Sequence, residues 1–261
     1  MKATSLILFA LFVISCSNDN QPTDPIVEDQ TNIKEYPVEG DLKQKANRHV
    51  TTTLSIPSSE KFTLEVFEAH LDDDGVIDAI VTVNRKNKAI DDAADSPNTP
   101  QIVEMGYMGN YNLLFHYDGA KNTFSKPVPI GSSAMVPLKV TFANIQSEFF
   151  KDAIVEYRIR DGAYHNYFFV QNGTIQLVLQ HPVYSGFADP EGKYYVANFE
   201  AKTSSNVKDI VVFKGEYTGP IPEDKLAIFS PNISMLKEEA FRFVYLPQKR
   251  KYGVNPKDVN F

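Results

Sequence analysis

Runs in which apolar and polar residues alternate recur along most of the chain: Phe62 to Phe67, Ala79 to Val83, Tyr111 to Tyr117, Ala153 to Ile159, Tyr167 to Val170, Thr174 to Leu179 and Ile210 to Phe213. Successive side chains of a strand point to opposite faces, so this period of two predicts strands, and the abundance of β-branched and aromatic residues agrees with it. Turn chemistry separates the runs: Asp118-Gly119 ahead of Asn122, Asp161-Gly162, and Asn172-Gly173. Tyr167 to Leu179 around Asn172-Gly173 is the clearest hairpin. Helical patterning is scarce. Ser234 to Phe241 is the best candidate, with Asn232 or Ser234 as cap, and a second short helix is predicted near Lys88 to Ala94 in an Asp-rich insertion. The expectation is a mainly β protein with little helix, in propeller-like blades or an open antiparallel architecture.

One loop has unusual content. His70-Leu71-Asp72-Asp73-Asp74-Gly75-Val76-Ile77-Asp78 places oxygen-bearing residues at alternate positions, provides a glycine for the bend, and runs directly into the apolar strand Ala79-Ile80-Val81. Asp72, Asp74 and Asp78, with the Val76 carbonyl, are therefore a candidate calcium ligand set. The alternative is a solvated turn in which Asp78 caps backbone amides. Part of the pattern returns twice: Asn144 to Val155 keeps the final aspartate and strand as Asp152-Ala153-Ile154-Val155, and Lys208-Asp209-Ile210-Val211-Val212 keeps less. Without a glycine and companion carboxylates, Asp152 and Asp209 read as structural turn residues. The stretch resembles an FG-GAP or VCBS repeat, Asp-x-Asn-Gly-Asp-Gly-x-x-Asp followed by an apolar strand, with His70 standing where that family has Asp. The resemblance implies calcium-supported loops and propeller blades of about four strands. Three echoes fall short of closing a propeller, so Asp41 to Pro57 and Ala227 to Phe261 are the regions where a blade without its signature would have to lie.

The N-terminal fifteen residues read as a secretory signal: Lys2, then the apolar run Leu6 to Ile14, then the small residue Ser15. Nine residues rise only about 14 Å as a helix against roughly 30 Å of hydrocarbon, too short to span a bilayer. Val13-Ile14-Ser15-Cys16 resembles the lipobox of bacterial lipoproteins, and Cys16 is the only cysteine in the chain. The resemblance implies diacylglycerol on the Cys16 thiol and an acylated amine, an anchor strengthened by about 0.8 kcal/mol per buried methylene. Ser17 resembles the sorting signal for the outer membrane, and Asp19 the acidic tags of surface-exposed lipoproteins. With Cys16 lipidated no thiol is left for a disulfide or a thiolate metal site. Residues 16–40, rich in Asn, Asp, Gln, Pro and Thr, read as a tether, and residues 41–261 as one β-rich domain with FG-GAP/VCBS-like echoes.

Net charge and motifs narrow the function. The chain carries a formal charge of -7, and no basic stripe emerges, so nucleic acid is not an expected partner. Lys249-Arg250-Lys251 reads as a solvated turn. No nucleophile elbow, His-Glu-x-x-His helix, phosphate loop or dinucleotide fingerprint is present, and His49, His70, His116, His165 and His181 are dispersed. His116 reads as an ordinary strand residue. A metal-assisted hydrolase would have to combine His70 with Asp72, Asp74 and Asp78. In Gly106-Tyr107-Met108-Gly109-Asn110-Tyr111 two glycines flank large rings, which makes Tyr107 and Tyr111 candidate exposed aromatics for binding. The reading these features support is a lipid-anchored, non-catalytic binding or accessory subunit of an outer-membrane or cell-surface assembly. Its alternatives are a calcium-supported glycan or ligand binder and the hydrolase.

Overall fold

The computed structural model describes residues 41–186, 192–202, 205–220 and 228–254. The signal, Cys16 and the tether lie outside the described residues. Helix α1 (Leu42–Thr53) is followed by β1 (Thr63–Ala69), β2 (Asp78–Asn84), α2 (Lys86–Ala94), α3 (Thr99–Glu104), β3 (Met108–Asp118), β4 (Thr123–Phe124) and β5 (Val128–Ser133). Then come β6 (Lys139–Ala143), β7 (Asp152–Ile159), β8 (Gly162–Gln171), β9 (Thr174–Ser185), β10 (Lys193–Lys202), β11 (Ser205–Glu216), β12 (Ser234–Leu246) and β13 (Lys251–Val254). The protein is mainly β, and both of its antiparallel sheets are open rather than closed, so the open architecture is the one of the two alternatives that holds. Among the described residues no helix is long and apolar enough to cross a membrane.

The first sheet runs β1-β2-β3-β4 with β5 also on β3, and the second is a meander from β6 to β13. The meander nearly divides in two, because β9 and β10 share only the pairs Lys193↔Ser185 and Tyr194↔Tyr184. Core packing shows why. Ile80, Leu114 and Ile130 of the first sheet, with Leu71 and Leu138 from the adjoining loops, pack with Ala153, Val155, Tyr157, Phe168 and Val170 of β7 and β8. The alternate residues of the same two strands, Ile154, Tyr167 and Phe169, pack with Ile210, Val212 and Tyr252 of the last strands. The chain thus forms three face-to-face layers, β1–β5, β6–β9 and β10–β13. With both faces covered, β7 is buried at consecutive positions from Asp152 to Val155, which is how a central strand reads.

The outer face of the first layer is covered by α1. Ala46 and Val50, one helical turn apart, pack with Val81, Val83, Leu113 and Phe115. This region, 41–57, therefore holds the helix α1 and no blade. Its Leu42, Ala46 and Val50 recur every four residues, a period that the β-branched stretch Thr51-Thr52-Thr53 obscures. Among the described residues the outer face of the third layer has no such cover. There Arg242 spans Glu200 (2.9 Å), Asp209 (3.6 Å) and Glu239 (2.9 Å) above buried Val211.

The helix expected at 234–241 is part of β12. Alternation in Phe241, Phe243 and Tyr245 carries the segment onto the second core, and pairing with β11 overrides the helical propensity of Leu236 to Ala240. The short helix expected near 88–94 is α2. Asn172-Gly173 forms the two-residue turn of β8 and β9 with both φ angles positive, 54° and 70°. The β7–β8 turn is Arg160-Asp161, with Gly162 already in the strand.

Candidate functional site

The three sequence echoes occupy equivalent places. In each layer's first hairpin an aspartate of the inner strand stands opposite the residue nine positions before it, Ala69↔Asp78, Ala143↔Asp152 and Glu200↔Asp209, and in β2 and β7 it is the strand's first residue. Asp78 is fully buried. Its Oδ2 accepts the Leu71 amide (3.0 Å) and its Oδ1 the Gly119 amide (2.9 Å). Gly119 is required there, since a Cβ would fall 2.0 Å from the Ile77 carbonyl oxygen. Asp152 repeats the first contact at the same spacing. Its Oδ2 accepts the amides of Ile145 (3.0 Å) and Gln146 (2.8 Å), and its Oδ1 the Gln146 side-chain amide (2.7 Å). Burial nonetheless holds the Asp152 carboxyl up at about 6, against those three donors. The layers are stitched by the same loops, because the Lys151 amide donates to the His70 carbonyl (2.8 Å) and the Lys208 amide to the Ile145 carbonyl (2.9 Å).

Within the acidic loop the candidate ligands turn to the loop's own backbone. Asp72 Oδ1 accepts the Asp74 amide (3.1 Å), Asp74 Oδ1 accepts the Val76 amide (2.7 Å), and the Val76 carbonyl meets His70 Nδ1 at 3.0 Å. Burial raises the Asp72 pKa, with the charges of Asp78 and Asp74 adding to it and the Asp74 amide opposing. Asp72, Asp74, Val76 and Asp78 thus lie on one loop. Asp78, however, faces inward to Leu71 and Gly119, away from a shared centre with the other two. Among the described residues no group of three or more His, Cys, Asp or Glu side chains is arranged to hold a metal ion.

The loop's outer surface has a different character. A cleft of about 440 Å³ is lined by His70, Asp72, Asp73, Gly75 and Phe149, so it joins the first layer's loop to the second's. Phe149 is 94% exposed there, and Ile77 (50%) and Val76 (41%) are exposed on the same loop as the aspartates. An apolar tip beside carboxylates is thereby presented to solvent.

Tyr107 and Tyr111 are half-buried rather than exposed. Tyr107 sits at a positive φ of 54° just before β3, while Tyr111 lies within that strand and donates its hydroxyl to Asp92 (3.0 Å). His116 is a buried residue of β3, as its strand position implied. Its Nε2 has no hydrogen-bond partner, and burial lowers its pKa against the pull of Asp78 and Asp118.

A second cluster was not legible as a unit in the sequence. Lys139, Glu156, His165 and His181 stand directly opposite one another across β6, β7, β8 and β9. Lys139 Nζ lies 3.1 Å and His165 Nε2 3.6 Å from the Glu156 carboxylate. Burial would raise Glu156, but His165 and Lys139 outweigh it and bring its pKa down to about 2. His181 Nδ1 donates to the Pro182 carbonyl (2.7 Å), which leaves Nε2 to accept from the Tyr167 hydroxyl (2.9 Å). The ring is therefore neutral, and burial lowers its pKa to about 4. The signal that could have exposed this row is the Asn172-Gly173 turn, but a strict two-residue hairpin pairs His165 with Gln180. A register shift between Tyr167 and Phe168 moves the partner by one, to His181.

No family model matches the chain, and neither a curated protein nor a solved structure matches it.

Proposed function

We propose that the protein is a lipid-anchored, non-catalytic binding or accessory subunit of an outer-membrane or cell-surface assembly, held to the membrane through Cys16. The observation that carries the reading is the Phe149 tip. An almost fully exposed aromatic, with Val76 and Ile77 exposed on the facing loop, is the kind of surface that a partner covers. The loops that present it are rigid, because Asp78, Asp152 and the Lys151 to His70 hydrogen bond fix their ends to the layers. A preformed tip spends little ordering entropy on binding. The titratable groups support the same reading: Asp78 and Asp152 are committed to backbone amides, and His181 to Tyr167 and Pro182.

The test is affinity capture of the intact lipoprotein from detergent-solubilised membranes, in wild-type form and as Phe149→Ser. A partner recovered in constant ratio with the wild type and lost with the variant is the expected result. Recovery of the lipoprotein alone in both cases overturns the accessory role. Mass spectrometry of Cys16 in the same preparation tests the anchor, for which an acylated sulfur is expected.

A further inference from the structure

We infer that the cleft between α1 and the segment leading into β1 binds an acidic saccharide chain, one bearing carboxylate or sulfate groups. The site is distinct from the Phe149 tip, and the inference does not depend on the anchor at Cys16. The cleft, about 730 Å³ and open to solvent, lies between one face of α1, with Lys43, Gln44, Asn47 and Arg48, and the segment Glu60-Lys61-Phe62 leading to Leu64 of β1. A second cleft of about 280 Å³ shares Lys61 and Phe62 and adds Lys86. The two adjoin at these residues and form one elongated groove open to solvent, a shape that admits a chain.

The groove is positive in a chain whose net charge is -7. Lys43, Arg48, Lys61 and Lys86 make no ion pair among the described residues. The one carboxylate in the lining, Glu60, is neutralised from behind by Arg85, whose Nε and Nη2 each lie 2.6 Å from its two oxygens. An acidic chain would therefore meet four uncompensated cations and no free anion. The remaining lining supplies what a sugar needs besides charge. Gln44 and Asn47 offer exposed side-chain amides to hydroxyl groups, and the half-buried ring of Phe62 offers a face for the apolar side of a pyranose. An acidic peptide fits less well. Thr63 and Leu64 of the edge strand β1 also line the groove, so a peptide is the competing occupant, but an added strand would use the backbone there and leave the exposed amides of Gln44 and Asn47 and the Phe62 ring without a role.

The full-length lipoprotein in detergent micelles is titrated, by fluorescence anisotropy, with labelled short oligogalacturonate and with a heparin-derived oligosaccharide. A neutral maltooligosaccharide and a polyglutamate peptide serve as comparisons. Saturable binding of at least one acidic sugar is expected, weakening as salt is raised, with no binding of the neutral one. Arg48→Glu and Lys61→Glu should each weaken it by roughly ten-fold, while Lys249→Glu, in the exposed C-terminal basic cluster, should leave it unchanged. Because Arg48 and Lys61 are exposed and sit on separate elements, a folding defect in one variant, seen as a lowered Tm, leaves the other to decide. The inference is overturned if neither acidic sugar saturates, if the neutral sugar binds equally, if both glutamate variants keep wild-type affinity, or if polyglutamate binds more tightly than the sugars.

Discussion

The two faces of the central layer are made by the same strands and differ in kind. Toward the first layer, β7 and β8 present Ala153, Val155, Tyr157, Phe168 and Val170, whose packing contacts are aliphatic and aromatic. Toward the third, one residue out of step, they present Asp152, Ile154, Glu156, His165, Tyr167 and Phe169, an apolar cluster crossed by titratable groups. The first face derives its stability from removing apolar area from water, a term that does not depend on protonation. The second couples the fold to pH, since each buried carboxyl or imidazole has a different proton affinity folded and unfolded. A strand buried on both sides can divide two tasks between odd and even residues.

The largest expected effect lies on the apolar face. Phe168→Ala should cost about 3–5 kcal/mol, through lost burial and the cavity left between layers, and the loss should be the same at pH 4.5 and pH 7 within about 0.5 kcal/mol. Denaturant unfolding at both pH values checks this. A loss that changes strongly with pH would mean that the two faces are not independent.

On the other face His181 and Asp152 should act in opposition. Its folded pKa of about 4 lies below the unfolded value of 6.5, so between these limits the unfolded chain holds more protons and stability falls as pH is lowered. The shift corresponds to as much as about 3 kcal/mol. His181→Phe should remove that contribution and leave the opposing one of Asp152, so the variant should gain stability on acidification relative to the wild type. It should cost about 1–2 kcal/mol at pH 7, where the Tyr167 hydroxyl and the Pro182 carbonyl lose their partner. Asp152 works in the opposite sense. Its folded pKa of about 6 lies above the unfolded 3.8, so its contribution is greatest below pH 4 and declines as pH rises to 6. Asp152→Asn should therefore make the protein lose more stability on acidification than the wild type does, and the two slopes should largely cancel in the wild type. Equal pH profiles for wild type and both variants would rule out the titrating face.

The difference between the faces also marks how far the sequence could be read. Period-two runs placed β1, β2, β3, β7, β8, β9 and β11, because burial on at least one face leaves an apolar residue at every second position. The aspartate echoes at Asp78, Asp152 and Asp209, read as marks of propeller blades, fall instead at equivalent hairpin positions of three layers, each opposite the residue nine before it. Charges that act through register were hidden. His165 and His181 meet only because of a bulge, which no local pattern announces. The α1 cap was missed because three consecutive threonines favour strand, and β12 because its first half has the composition of a helix. Both assignments are settled by what the segment packs against, a tertiary fact. The cationic groove was equally illegible, for it needs Lys43 and Arg48 on a helix whose existence was unread, facing Lys61 across a gap.

The smallest expected effect asks whether the first layer's acidic loop is as insensitive to solution conditions as the apolar face beneath it. Asp74 accepts the Val76 amide from an exposed position, so Asp74→Ala should cost only about 0.5–1 kcal/mol. A calcium ion could use the oxygens that Asp72 and Asp74 leave free, but it would have to turn Asp78, whose two oxygens hold Leu71 and Gly119, out of the fold and undo the contacts that start β2. Wild-type melting should therefore be the same in calcium and in chelator, with Asp74→Ala lowered equally in both. A calcium-dependent rise in Tm that disappears in Asp74→Ala would reverse this. It would mean that the loop reorganises around an ion, and that the first layer, like the third-layer face of the second, responds to the solution around it.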